Sequence, residues 1–294
     1  MFQLRSRGLL LGLGDGDRNG GPIQMALQLA ESLVKHGEYR PVQVMEAYVQ
    51  WWDGGKGVDA WDTGPTTRKL LCAFHHDEAQ GVNLLGLEKN ARDLDRILNG
   101  MTAGCNAMHR VLPMALAWFL RTDEELYLAA RQESRITHWS PISQLACAIA
   151  TLICRKLIQG DSIHQAVQQT VHFIGKKKNL LGKEWMLLSE STGKALDGDC
   201  SIGDLDRGGF CPDVLKAAIF FAARGDSYTQ CINSAIKFAG ASNYCPVLVG
   251  AFAGAIFGNS SDSLKQIQQS VKPDIQKRCI GTATAFADHV EFDS

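Results

Sequence analysis

The sequence has few of the features that indicate β structure, secretion or membrane insertion. Alternating runs of β-branched residues are almost absent from its 294 residues, and no hairpin dipeptide separates two such runs. The longest apolar runs, Leu145–Cys154 and Val247–Phe257, fall short of the roughly 18 residues needed to span a bilayer. No long apolar run with a cleavage site follows Arg5 and Arg7, so no signal peptide is predicted. These absences predict a helical, cytoplasmic protein without a membrane partner.

Charge and cysteine content exclude further classes of protein. The formal net charge is −1, which argues against a nucleic-acid partner or an anionic membrane held by bulk charge. The nine cysteines are an odd number without CxxC spacing, so they predict neither a disulfide framework nor a zinc site. The sequence gives no indication of oligomeric state.

Helical periodicity recurs along the whole chain. Pro22 and Pro41 stand at the first turns of two amphipathic segments, and Gly37 ends the first of them. No linker or repeat divides the chain, so we predict a single all-α domain over residues 1–294. Further helices are predicted at 66–75, 87–98, 107–120, 123–133, 141–158, 161–174, 180–192, 212–223, 226–239, 244–258 and 261–270.

The most unusual predicted helix is the apolar one that begins near residue 244. Gly250, Gly254 and Gly258 recur every four residues and therefore share one stripe of this helix. Each glycine costs about 1 kcal/mol in a helix interior, so the stripe predicts that another backbone or a ligand comes very close. Ser242 and Asn243 lie at its N-terminus, where free N–H groups favour an anion.

Five glycine-rich or polar loops interrupt the helices, and loops on a rigid scaffold are where chemistry is usually found. They are Gly12–Gly21, Asp53–Pro65, Thr102–His109, Ser134–Pro141 and Asp197–Pro212.

The first loop concentrates Asp15, Asp17, Arg18 and Asn19 within GDGDRNGG. Three interpretations are open for its acidic residues. They could cap neighbouring helices, as aspartates often do. Asp15 or Asp17 could act as a general base or stabilise an oxocarbenium ion, since glycosidic cleavage needs a positioned carboxylate. Both could hold a single metal ion.

Taken in order, these loops and the glycine-striped helix resemble the ADP-ribosylglycohydrolase family. The resemblance implies a compact multi-helix orthogonal bundle that cleaves a glycosidic bond of an ADP-ribosyl or related nucleotide substrate. The segments that carry it are Gly8–Asp15, Gln24–Leu33, Trp61–Thr67, Gly104–Pro113, Thr137-His138 and Gly240–Gly258.

The sequence departs from the family at its metal motifs. Members use two divalent cations, usually Mg²⁺ or Mn²⁺, and such hard ions need carboxylate and hydroxyl oxygens. The first motif aligns here with Gly20, Gly21 and Pro22, and the second with residues 241–244 (ASNY), so no carboxylate remains. The stretch that carries the family's acid/base glutamate is also missing. We therefore expect no metal cofactor of the family kind.

The resemblance also implies where a ligand binds. Gly104, Cys105 and Asn106 fall in the family's phosphate loop, and His138 would donate a hydrogen bond to the same phosphate. Ser242 and Asn243 would contact ribose hydroxyls. Cys105 has no neighbour in sequence that marks an activated thiolate, so it is predicted as a contact and not as a nucleophile. The remaining predicted ligand contacts are Arg18, Asn19, Asp62 and Gly64.

Two functions are compatible with these residues. The first is a hydrolase that lacks the usual two-metal centre and uses Asp15 or Asp17. The second is a catalytically inactive relative that binds ADP-ribose or another nucleotide, or serves only as a scaffold.

Overall fold

Helices account for almost all regular structure in the chain. The computed structural model describes residues 1–54, 63–77 and 83–289, which form fifteen α-helices and no strand. The all-α prediction is confirmed. The helices are α1 (Phe2–Gly16), α2 (Gly21–His36), α3 (Pro41–Gly54), α4 (Pro65–Asp77), α5 (Leu84–Ile97), α6 (Asn106–Arg110), α7 (Asp123–Arg135), α8 (Pro141–Gln159), α9 (Ile163–Gly175), α10 (Lys183–Leu196), α11 (Cys211–Arg224), α12 (Tyr228–Ala239), α13 (Tyr244–Phe257), α14 (Ser261–Gln268) and α15 (Pro273–Asp288).

Helices α1 and α13 pack backbone against backbone at the centre of the fold. A Cβ atom built at Gly12 would lie 2.7 Å from the carbonyl carbon of Gly250 and closer still to its oxygen. The same overlap occurs between Gly8 and Gly254, and between Gly16 and the carbonyl group of Pro246. This contact, which we call the glycine seam, confirms that the glycine stripe of α13 meets another backbone.

One hydrophobic core extends from α1 to α15. Every residue of α13 from Cys245 to Ala255 is buried, as is Leu9–Leu13 of α1. Of the described helices, α8 alone has the length and composition to cross a membrane, but 78% of its most apolar window is buried inside the protein. It is therefore placed as a core helix of a folded domain.

Pro22 and Gly37 mark the ends of α2 as the sequence predicts, and serine side chains cap two further helices. Pro22 lies in the first turn of α2, and Gly37 ends that helix in the left-handed conformation with a φ of 64°. The side chains of Ser162 and Ser227 cap α9 and α12 by accepting hydrogen bonds from the backbone three residues on.

Two predictions about the helices were wrong, and one helix was missed. Helix α1 runs through Gly12–Gly16, which we expected in a loop, because the glycine seam favours residues without side chains there. The single helix predicted at 107–120 divides into α6 and a 3₁₀ turn at Leu112–Leu116, since Pro113 restricts the residue before it. Helix α15 was not predicted, because its apolar residues are interspersed with Thr and Gly.

Candidate active site

The turn that joins α1 to α2 carries the first part of the site. Asp17 is 2% exposed, and its Oδ2 accepts a 2.8 Å hydrogen bond from the backbone N–H of Ile23 in the first turn of α2. Its Oδ1 accepts a 2.8 Å hydrogen bond from Nδ2 of Asn243, the residue that precedes α13. The carboxylate thus connects the N-termini of two helices, where a negative charge is favoured.

Asp15 faces a different part of the protein. Its Oδ2 accepts a 2.6 Å hydrogen bond from the phenol of Tyr228 in the first turn of α12. Burial raises the pKa of Asp15, although hydrogen bonds from Tyr228 and Ser270 oppose the shift. The two aspartates that the sequence places together therefore lie in separate environments.

Arg18 and Asn19 hold neighbouring turns. Both adopt positive φ angles, 56° and 60°. Arg18 donates a 2.8 Å hydrogen bond to the carbonyl of Gly240. Asn19 donates to the carbonyl of Ser270 and accepts from the N–H of Lys272, so its amide fixes the connection between α14 and α15. The sequence predicts these residues as ligand contacts, and the structure shows them bonded to backbone.

The segment before α6 is paired with the segment before α11. Gly104 forms an isolated antiparallel bridge with Phe210. The N–H of buried Cys105 donates a 3.0 Å hydrogen bond to the carbonyl of Gly209, and the N–H of Cys211 donates to the carbonyl of Ala103. The N–H of Cys105, which the sequence places in the phosphate loop, is therefore already bonded within the protein.

Asn106 secures the segment that precedes α4. Its Nδ2 donates a 3.0 Å hydrogen bond to the carbonyl of Thr63. Gly64 has a φ of 71°, and a Cβ built on it would lie 2.9 Å from the Asn106 amide nitrogen, so glycine suits this position in both conformation and space. The predicted contact Asp62 lies outside the described residues.

His138 lies beneath the Gly104 segment. The side chain is 2% exposed, and its Nδ1 lies 2.9 Å from Oγ1 of Thr137. Its Nε2 faces Gly104, where a built Cβ would lie 3.8 Å away. Burial, and then the charge of Arg110 and the ring of His109, lower the pKa of His138 to about 3. The ring is therefore neutral at physiological pH.

His109 connects α6 to the start of α13. Its Nε2 lies 2.8 Å from the carbonyl oxygen of Tyr244, which can only accept, so Nε2 carries the proton. Burial lowers the pKa of His109 to about 4, although the hydrogen bond to Tyr244 opposes the shift. The ring of Tyr244 in turn covers Gly209 at 3.3 Å from a built Cβ.

These contacts join two predicted regions into one surface. We call the set Asp17, Asn243, Tyr244, Gly209, Gly104 and His138 the site arc, because each member contacts the next or the backbone beside it. Ser242 stands next to it, and its Oγ is buried without a hydrogen-bond partner among the described residues. The structure therefore brings together Asp17, Asn243, Ser242, Gly104 and His138, whereas Asp15 and Asn19 contact the α12 and α14–α15 region.

The side chains at the family's metal positions do not fit a two-metal centre. Gly20, Gly21 and Pro22 offer no side-chain oxygen. Asn243 directs its amide N–H₂ at the carboxylate of Asp17. Among the side chains that the structure describes, no group of three or more His, Cys, Asp or Glu converges. Gly20–Pro22 and residues 241–244 therefore contribute no carboxylate, the ligand that such ions need.

A cavity of about 490 Å³ lies elsewhere, against α7, and its lining includes Tyr39, Phe119, Leu128 and Arg131. It contains no residue of the site arc. None of the residues that the sequence predicts as catalytic or ligand-binding lines this cavity.

Sequence reasoning missed several partners of the predicted residues. Tyr228 contacts Asp15, and His109 contacts Tyr244 of the site arc. Glu133 forms an ion pair with Arg110. The Tyr228–Asp15 pair is separated by 213 positions, so no local spacing could reveal it. His109 and Arg110 lie in the segment Gly104–Pro113 that carries the family resemblance, and their position there was the available sign that they belong near the site.

Comparisons with known proteins support the family and the fold. A family model described as ADP-ribosylglycohydrolase matches residues 20–285. A solved structure titled "ADP-ribosylglycohydrolase-related protein complex" superposes with a TM-score of 0.69 and 21% identity, over 98% of this chain and 98% of that chain. At that identity the likeness concerns the fold. A search of curated proteins found no match.

Proposed function

Since the chain belongs to the ADP-ribosylglycohydrolase family, we propose that it hydrolyses a glycosidic bond of an ADP-ribosyl or related nucleotide substrate at the site arc. Family and fold indicate a hydrolase of this general kind. The finer proposal is that the reaction proceeds without the family's Mg²⁺ or Mn²⁺ pair. The residues of this chain would then supply the charge and hydrogen bonds themselves.

The observation that carries the proposal is the buried carboxylate of Asp17 between two helix N-termini. Glycosidic cleavage passes through an oxocarbenium-like transition state, which a fixed negative charge stabilises. Each carboxylate oxygen can accept more than one hydrogen bond, so Asp17 can also orient water. Water adds to the anomeric carbon as the bond to the leaving group breaks; the hydroxyl stays on ribose and the proton goes to the leaving group.

Ligand binding would involve the other end of the site arc. His138 offers Nε2 beside Gly104, and Ser242 offers an unpartnered hydroxyl beside Asn243. These groups suit a phosphoryl oxygen and a ribose hydroxyl respectively, as a nucleotide ligand presents. Asn243 and the N–H of Ile23 hold the carboxylate of Asp17 in place. Asp17 would therefore lie beside the segments that the resemblance aligns with the family's metal motifs.

Replacing Asp17 with asparagine is expected to lower kcat about 100-fold or more on an ADP-ribosylated protein substrate. Asparagine has the same shape and can keep both hydrogen bonds if the amide of Asn243 reverses, so the melting temperature should change little. The measurement is release of ADP-ribose by the purified chain in EDTA and in Mg²⁺.

Asp15→Asn is the matched control, because Asp15 bonds to Tyr228 and should cost far less activity. A larger loss in the Asp15 variant would transfer the catalytic role to Asp15. Activity that disappears in EDTA would contradict the metal-free reaction. Saturable ADP-ribose binding with no turnover on any substrate would contradict hydrolysis and leave a binding protein.

Replacing Asn243 with aspartate is expected to make stability depend on divalent cations. Two carboxylates at hydrogen-bond distance repel each other, so one of them resists ionisation and the folded state loses stability at neutral pH. Mg²⁺ or Mn²⁺ bound between them would restore stability, by about 2.7 kcal/mol at a concentration 100 times the Kd.

The measurement is the urea midpoint at pH 7 with EDTA and with millimolar Mg²⁺ or Mn²⁺. The wild-type chain under the same conditions is the control, and its midpoint should move little. An Asn243→Asp midpoint that is equal to wild type in EDTA would show that residue 243 does not face Asp17 as the structure places it.

A further inference from the structure

Three buried side chains form a hydrogen-bonded relay that ends at the site arc. Arg110 and Thr137 are fully buried and His138 is 2% exposed. Nη2 of Arg110 donates a 2.6 Å hydrogen bond to Oγ1 of Thr137, which lies 2.9 Å from Nδ1 of His138. The His138 backbone is held as well, because its N–H donates to the carbonyl of Ser134.

The chemistry of these groups fixes the position of each proton. A guanidinium has donors only, so the Thr137 hydroxyl must accept from Arg110. The hydroxyl's own proton then needs an acceptor, and within the described residues Nδ1 of His138 is the one at hydrogen-bond distance. With Nδ1 as acceptor, a neutral ring carries its proton on Nε2. The opposite tautomer would leave the Thr137 proton buried without a partner.

The proton on Nε2 points to the Gly104 segment. Within the described residues Nε2 has no hydrogen-bond partner, and Gly104 has no side chain to cover it. The segment itself cannot swing away freely, because the hydrogen bonds to residues 209–211 hold it. A donor N–H in this position selects for an acceptor atom on the ligand.

We propose that Arg110 and Thr137 are positioning residues that hold His138 as the Nε2–H tautomer, so that its ring donates one hydrogen bond to a phosphoryl oxygen of the ligand beside Gly104. The nature of the ligand rests on the proposed function. The tautomer does not, because it follows from residues of this chain alone.

The tautomer can be measured directly by nitrogen NMR on protein labelled with ¹⁵N-histidine, with His138→Gln used to assign the signal. We expect a protonated Nε2 and an unprotonated Nδ1 in the wild-type chain without ligand. Thr137→Val, which removes only the hydroxyl, should give a mixture of tautomers. Thr137→Ser, which keeps the hydroxyl, should restore the wild-type signal.

A second measurement connects the tautomer to binding. Calorimetric titration with ADP-ribose should show affinity about twofold weaker in Thr137→Val, because an even mixture of tautomers leaves half of the molecules able to donate, and close to wild type in Thr137→Ser. Gly104→Val, whose side chain would cover Nε2, should weaken binding about tenfold, the loss of one hydrogen bond, without changing the tautomer.

The outcomes separate this inference from the proposed function. A proton on Nδ1 of His138 in the wild-type chain overturns the relay, even if the protein hydrolyses ADP-ribosyl substrates. Unchanged ADP-ribose affinity in Thr137→Val overturns the positioning role. An Nε2 proton in a chain that neither binds nor cleaves ADP-ribose supports the tautomer and contradicts the proposed function and the assigned ligand. If Thr137→Val does not fold, the wild-type signal and the affinity of Gly104→Val still decide.

Discussion

Replacing Gly12 with alanine is expected to lower the free energy of unfolding by about 3 kcal/mol, the upper end of what overpacking usually costs. The added Cβ would lie 2.7 Å from the carbonyl carbon of Gly250 and 3.2 Å from the Cα of Gly254. These are backbone atoms, which cannot rotate aside as a side chain can. The helices must separate, and separation loosens the glycine seam along its whole length. Urea denaturation followed by circular dichroism measures the change.

Gly14→Ala is the matched control, with the same substitution in the same helix. A Cβ at Gly14 would lie 3.4 Å from the nearest side chain, which is an ordinary contact. Alanine favours a helix interior over glycine by about 1 kcal/mol, so this variant should be as stable as the wild-type chain or more so. Equal stabilities for Gly12→Ala and Gly14→Ala would contradict backbone contact between α1 and α13.

Replacing Glu133 with leucine is expected to destabilise the protein by about 3–5 kcal/mol, the cost of leaving one charge of a buried pair alone. Nε of Arg110 donates a 2.8 Å hydrogen bond to Oε1 of Glu133, and both side chains are 0% exposed. The phenol of Tyr48 donates to the same oxygen. Burial lowers the pKa of Arg110, but Glu133, Tyr48 and Cys147 together more than offset this, so the guanidinium stays charged and would be left unpaired.

The double variant Arg110→Met/Glu133→Leu tests whether the unpaired charge causes the loss. It should be more stable than either single variant, because no buried charge remains, although the hydroxyls of Tyr48 and Thr137 lose a partner. The measurement is the double-mutant cycle of unfolding free energies. Single variants that each cost less than about 1 kcal/mol would mean that water reaches the pair.

Much of the fold could be predicted because local signals agree with tertiary packing. Pro22, Gly37, Ser162 and Ser227 mark helix ends through backbone conformation and capping alone, which requires no knowledge of distant residues. The loop predicted at Gly12–Gly21 was wrong over Gly12–Gly16, because the conformation there depends on a distant partner and not on a local signal. Glycines usually interrupt a helix, and here a partner helix more than 200 positions away compensates for their cost.

The sequence could predict which segments form the site, but it could not predict which residues contact each other there. The resemblance selected Gly104, His138 and Asn243, and the structure brings these into one arc. Asp15 and Asp17 were equivalent in sequence, yet two residues along a helix point to nearly opposite sides. Only the positions of Tyr228 and Asn243 reveal that one aspartate faces α12 and the other faces α13.

The glycine seam also determines the order in which the domain can be completed during synthesis. Helix α1 leaves the ribosome long before α13, which begins only at Tyr244. At 5–20 residues per second, the intervening chain takes on the order of ten seconds to a minute to appear. Throughout that interval the apolar surface of α1 lacks its native partner. Chaperones that shield nascent chains therefore have a long time in which to bind it. A polypeptide released before α13 is synthesised would expose that surface permanently.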